Sequence, residues 1–199
     1  MDIVEIVLGI SGASGVVYGT RLLEVLRERC FVNLIITEAA RKILEIECGR
    51  SHKEMISLAD RVFEPDDLTS PIASGSYLFD AMVVAPCSMR TMAAIACGIS
   101  DTLIARVADV CLKQRRTLVL VPRETPLSLI HLRNMVAVSE AGGIILPASP
   151  SFYSRPRSVA ELVDTVVCRI LDILGIDNSI SPRWRGFGGN AYNDTGEER

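Results

Sequence analysis

Short runs rich in valine and isoleucine alternate along this chain with longer stretches of helical periodicity, and that alternation limits the fold more than any other feature. The runs are Ile3–Leu8, Val32–Thr37, Ala81–Ala85, Thr117–Val121 and Gly143–Pro147. They are almost wholly apolar, as strands covered on both faces must be. Between them the spacing predicts helices over Gly15–Arg29, Glu38–Cys48, Met89–Cys97, Asp101–Gln114, Leu127–Glu140 and Ser158–Leu174. The last opens on Ser158 and Glu161, the spacing of a capping box. A sixth short strand fits near Arg61–Phe63. Strands separated by crossovers of this length run parallel, with right-handed connections and helices on both faces. The expected class is α/β: a three-layer αβα, Rossmann-like fold with a mostly parallel, doubly wound sheet. A single α/β domain is expected over residues 1–174. Residues 175–199 lose the periodicity and turn polar, with Trp184, Phe187 and Tyr192 interspersed, and read as a tail that is frayed or laid on a neighbouring subunit.

Composition narrows the function classes. Hydrophobic residues make up 49% of the 199, yet no run approaches the roughly 18 apolar residues of a membrane span. The surplus suits a sheet buried on both faces or extensive subunit contacts. The opening "MDIVEIVLGI" is acidic where a signal peptide is basic, so it reads as a first strand and points to the cytoplasm. The six cysteines are scattered with no C-x-x-C pair, and two histidines are too few for a histidine metal centre. A net charge of −3 gives no support for nucleic-acid binding.

Ligands of such sheets sit beyond the carboxyl ends of the strands. That rule gathers the loops Gly9–Gly15, Thr37–Glu38, Pro86–Thr91, Pro122–Pro126 and Ala148–Pro156 on one rim. The first, within "VLGISGASGVVYG", matches neither the dinucleotide pattern, because Ser11 stands where glycine is needed, nor the P-loop, which needs a lysine. It still ends at a helix start, where free N–H groups favour an anion, and Ser11 and Ser14 add hydroxyls. "APCSMRT" repeats the arrangement with Ser88, Met89, Arg90 and Thr91; a capped helix explains Ser88 alone, whereas two such openings on one rim favour a phosphate-bearing ligand. "LVPRETP" sets Arg123 and Glu124 directly after the fourth strand, a pair suited to phosphate binding and proton transfer. Glu47 lies late in an apolar helix, where a carboxylate is exposed or useful.

The stretches "GISGASGVVYG", "SGS" at Ser74–Ser76, "APCSMRTMAAIACGISDTLIARVADVCLKQRRTLVLVPRETPLSLIHLRNM" and "PSFYSRP" together resemble the UbiX-type flavin prenyltransferases, from Ile3 to about Trp184. The resemblance implies an enzyme that joins a dimethylallyl group from dimethylallyl phosphate to N5 and C6 of reduced FMN. The prenylated FMN would serve a UbiD-type decarboxylase. Carried over by motif, Gly12, Ala13, Ser14, Thr37, Ser88, Met89, Arg90, Thr91 and Arg123 would hold FMN. Lys113, Arg123, Tyr153 and Arg169 would bind the phosphate of dimethylallyl phosphate, and Trp184 would close over the isoprenoid from a neighbouring subunit. Glu47 and Glu124 would line the reaction centre, with Ser14 ordering proton transfer. No metal is implied, and a homo-oligomer, a dodecamer by resemblance, is. Arg90 is typical of the branch linked to phenolic acid decarboxylation. Three alternatives compete: a peptidyl-cysteine-type flavin decarboxylase, whose histidine and Asn-Thr pair are missing here; a non-enzymatic FMN-carrying subunit of a decarboxylase complex, which needs neither Glu47 nor Glu124; and direct decarboxylation of a phenolic acid.

Overall fold

The computed structural model describes residues 3–184 and 186; the remainder of the expected tail, with Phe187 and Tyr192, lies outside the described residues. The chain divides into two compact units, one running to Ala148 and the other starting at Ser149.

The first unit holds strands β1 (Glu5–Ile10), β2 (Phe31–Ile36), β3 (Arg61–Phe63), β4 (Ala81–Cys87), β5 (Thr117–Pro122) and β6 (Ile144–Ile145). Its helices are α1 (Val16–Leu26), α2 (Glu38–Cys48), α3 (His52–Ile56), α4 (Met89–Ala96), α5 (Leu103–Gln114) and α6 (Leu129–Glu140). All pairings are parallel, in the order β3-β2-β1-β4-β5-β6. The strand order reverses between β1 and β4, so the crossovers leaving those two strands diverge and open a crevice at their carboxyl ends.

Side chains alternate across the sheet and both faces are buried. Val7, Ile35, Met82, Val84, Leu118 and Leu120 share one cluster with Ile104, Val107 and Cys111 of α5. Their neighbours in sequence, Ile6, Leu8, Leu34, Ile36 and Val83, are buried on the other face. Each fully buried aliphatic side chain of this kind contributes about 1.5–3 kcal/mol. The burial also masks the thiols of Cys30, Cys87, Cys111 and Cys168, leaving Cys48 half-buried and Cys97 exposed. Desolvation pushes the Cys111 thiol up to about 12.

Thr37, Ser88, Thr102 and Ser128 cap α2, α4, α5 and α6, each accepting from the third backbone N–H beyond it. The second unit contains α7 (Val159–Ile173), capped in the same way by Ser158, with Val163, Val166, Val167, Ile170 and Leu171 buried. Each such cap is worth about 1 kcal/mol.

The boundaries depart from the sequence reading where elements are short or lie at an edge. β6 shrinks from the expected Gly143–Pro147 to two residues, because it pairs only with Val119 and Leu120 of β5. Helix α3 and a 3₁₀ turn at Pro71–Ala73 were not anticipated; neither is long enough to show a helical period. No helix among the described residues is long and apolar enough to cross a membrane.

Gly19 shows how tightly α1 lies on the sheet: a Cβ there would overlap the carbonyl oxygen of Ala85 in β4 and press on Ile10. Gly19→Ala is expected to destabilise the protein by about 1–3 kcal/mol, the cost of overpacking against backbone that cannot yield. A urea melt should show a lower midpoint at unchanged slope.

Candidate active site

The exits of β1 and β4 are joined by Ser11. Its hydroxyl donates to the carbonyl of Pro86 at 2.8 Å and accepts from the backbone N–H of Ser88 at 2.8 Å. Its own N–H reaches the same Pro86 carbonyl at 3.2 Å. Ser11 is buried, so it is a clamp between two strand exits and not the ligand hydroxyl its sequence setting suggests. Gly12 follows because a Cβ there would lie 2.5 Å from the Cβ of Ala39 in the first turn of α2. Ala13 donates its N–H to the Ser11 carbonyl at 2.9 Å, turning the loop toward α1.

The two helix openings on this rim differ. At α1 the capping position is Gly15, with φ of 96° and no side-chain cap of its own. The cap comes from α2, where Glu47 accepts from the N–H of Gly15 at 2.8 Å and of Val16 at 3.2 Å through one carboxylate oxygen. Two of the donors that an anionic ligand would use at α1 already hold a carboxylate. At α4, Ser88 accepts from the Thr91 N–H at 3.3 Å, and the Ser88 and Thr91 hydroxyls lie 3.0 Å apart. The N–H groups of Met89 and Arg90 precede any intrahelical acceptor and are open donors on this rim. The Arg90 side chain points to solvent, 3.8 Å from the Asp101 carboxylate. Thr37 closes the rim at α2, its N–H donating to Ile10 and its hydroxyl accepting from Ala40.

Arg123 reaches back from β5. Its Nε donates to the carbonyl of Ser14 at 3.1 Å, and its stem passes the space that a Gly15 side chain would fill. The guanidinium lies close enough to Tyr18 to oppose the upward shift that burial imposes on that phenol. The Arg123–Glu124 pair read from the sequence does not form as an ion pair among the described residues. Arg123 is committed to Ser14, and the exposed Glu124 carboxylate accepts from the N–H of Thr125 at 3.0 Å. The rim thus brings together Gly12, Ala13, Ser14, Thr37, Glu47, Ser88–Thr91, Arg123 and Glu124.

Lys113 stands elsewhere. It lies in the last turn of α5, which leads into the amino end of β5, so within one chain it is at the opposite edge of the sheet. A cleft of about 170 Å³ lined by Arg115, Arg116 and Thr117 opens at that same edge, away from the rim. Tyr153, Arg169 and Trp184 belong to the second unit. There the Tyr153 and Trp184 rings meet edge to face, with centroids 5.5 Å apart, and Arg169 donates to Asp172 at 3.2 Å. Among the described residues no group of three or more His, Cys, Asp or Glu could hold a metal ion.

A phosphorylated ligand suits this rim, with open N–H groups at α4 and the guanidinium of Arg123. Two roles escaped the sequence reading, the Ser11 clamp and the Glu47 cap. Their partners are 75–77 and 31–32 residues away, and only the order of the strands announces them.

Comparison with known proteins finds relatives along most of the chain. The Flavoprotein family profile matches residues 1–171. A flavin prenyltransferase UbiX from Methanocaldococcus jannaschii is 52% identical over 180 residues, which is 90% of this chain and 98% of that protein. The crystal structure of AnUbiX in complex with FMN and dimethylallyl pyrophosphate superposes with a TM-score of 0.92 at 42% identity, covering 94% of this chain and 100% of that one. A dodecameric FMN-dependent UbiX-like decarboxylase from Escherichia coli O157:H7 superposes with a TM-score of 0.90 at 42% identity, covering 92% and 100%.

The cap on α1 can be separated from any chemical role of Glu47. Glu47→Ala is expected to cost about 0.5–2 kcal/mol of stability, as loss of a helix cap does. Glu47→Gln retains an accepting oxygen and should lose far less. Chemical denaturation of the two variants measures the difference.

Proposed function

We infer the activity from a premise that the comparisons supply: this chain belongs to the Flavoprotein family and, within it, to the UbiX-type flavin prenyltransferases. It is a flavin prenyltransferase, and FMN is its acceptor. In our reading the donor is dimethylallyl phosphate, and the dimethylallyl group is joined to N5 and C6 of reduced FMN. The observation that carries the site assignment is the junction at Ser14, where the Arg123 guanidinium is bonded to the glycine turn beside a second helix opening with open N–H groups.

The FMN phosphate belongs at the α4 opening, on Ser88, Met89, Arg90 and Thr91, with Thr37 beside it. The α1 opening is unsuited to it because Glu47 occupies those donors. Gly12, Ala13, Ser14 and Arg123 hold the flavin. The prenyl phosphate is bound by Arg123, Arg169 and Lys113, whose charges stabilise the departing phosphate as the allylic C–O bond breaks, and by the Tyr153 hydroxyl. The face of Trp184 stabilises positive charge on the allyl group. Closure at C6 releases a proton, and Glu124 accepts it, with Glu47 and Ser14 ordering the transfer.

Because Lys113 stands at the far edge within its own chain, its place in this reading is at the site of a second copy. That supports a homo-oligomer, and the likeness to a dodecameric relative supports twelve copies. The domain spans residues 1–174 in this reading, and the described part of the segment after it, up to Trp184, lies on its own chain, tied to Asp172 of α7 by Asn178 and Arg183. A UbiD-type decarboxylase of aromatic or phenolic acids receives the product, and the cytoplasm is the proposed compartment.

Incubation with FMN, a reductant and dimethylallyl phosphate tests the reaction. Flavin released from the protein should carry one added dimethylallyl unit by mass and an altered absorption spectrum. Unmodified FMN would overturn the reading. FMN should bind far more tightly than FAD in the same titration. Glu124→Gln should bind FMN normally while turnover falls by about 10²–10⁴-fold, the usual cost of losing a general base.

A further inference from the structure

The second unit contains a polar hub that the reaction above does not use. Asp172, near the end of α7, is only 22% exposed at its side chain. Arg183 grips it with both ends of its fork, Nη1 donating to Oδ2 at 2.8 Å and Nη2 to Oδ1 at 2.7 Å. Arg169, one turn earlier on α7, donates to Oδ2 at 3.2 Å, and the Asn178 amide donates to Oδ1 at 3.2 Å. Arg183 also reaches the carbonyl of Asn178 at 3.3 Å. These bonds fold the segment after α7 back onto the end of the helix.

Two guanidinium groups hold this carboxyl below the usual carboxylate range, with the Arg183 bonds the main cause. Bidentate, charge-assisted pairs are the strong members of their class and fix geometry as well as charge. With two cations on one anion, the hub keeps a net positive charge. The residue after Arg183 is Trp184, whose ring rests against Tyr153 at an interplanar angle of 69°. One carboxylate therefore restrains Arg169 directly and Trp184 through its neighbour in the chain.

We propose that Asp172 is a positioning residue, which through Arg169 and Arg183 sets the cation and the aromatic face of the prenyl-phosphate site in register. The proposal rests on the assignment of Tyr153, Arg169 and Trp184 to that substrate. Its geometric half does not.

Trp184 is the only tryptophan in the chain, so tryptophan emission reports this segment alone. In the FMN-loaded protein, Asp172→Asn and Arg183→Gln should both shift the emission to longer wavelength and raise quenching by acrylamide. Arg183→Lys, which keeps the charge but not the fork, should fall between them and the unaltered protein. The kcat/KM for dimethylallyl phosphate should drop through KM, by up to about 10²-fold, the cost of misplacing a binding group by ~1 Å. FMN affinity should hold. If Asp172→Asn does not fold, Arg183→Gln, at a half-exposed surface position, carries the same measurement. Unchanged emission and quenching in folded variants would overturn the tether whatever the kinetics. Shifted emission with unchanged KM would uphold the tether and overturn both its role in catalysis and the substrate assignment.

Discussion

One buried hydroxyl ties together the two crossovers that diverge from the middle of the sheet. Ser11 follows β1, yet its hydroxyl hydrogen goes to Pro86 and its lone pair to the N–H of Ser88 just after β4. β1 and β4 are the neighbours between which the strand order reverses, so their exits would otherwise part company. Because the bond is out of water, breaking it leaves buried polar groups without partners, at about 1–3 kcal/mol for each. The rest of the rim is hung from it. The turn through Gly12 to Gly15 starts at Ser11, α4 starts at Ser88, and Arg123 arrives from the adjacent β5 to bond the Ser14 carbonyl.

The rim then divides its positive ends between two purposes. Helix openings attract anions because their first N–H groups lack partners. At α1 the anion is internal: Glu47 crosses from α2 and satisfies Gly15 and Val16. At α4 the side-chain cap satisfies only the Thr91 N–H, which leaves the donors before it open to a phosphate. Glu47 is thereby fixed at the start of α1, next to the Ser14 turn where Arg123 arrives. A stability device and a reaction-centre carboxylate can be one residue, because the cap uses a single carboxylate oxygen and leaves the other.

The sheet and its order of helices were legible because buried parallel strands and amphipathic helices leave distinct periods. The rim followed from the rule that ligands gather at strand ends. What could not be read were side-chain directions. Glu47 is the exposed position on α2 that the sequence suggests, but its reach to α1 depends on how those helices pack. Arg123 and Glu124 are adjacent in sequence, yet they diverge because one bonds back to Ser14 and the other to Thr125. The position of Lys113 was implicit in the predicted topology: the end of a helix that leads into a strand lies at the amino edge, away from the rim. The Asp172 hub gave no local signal, since Arg183 is eleven residues further along.

The division of the two helix openings is the central claim, and the ratio of FMN to riboflavin affinity tests it most directly, because the two flavins differ only by the phosphate. The ratio should fall in Thr91→Val, which removes a hydroxyl at the α4 opening at nearly constant shape, and should stay close to the unaltered value in Glu47→Gln. A ratio that is insensitive to Thr91→Val but changes with Glu47→Gln would place the phosphate at α1 and contradict the account.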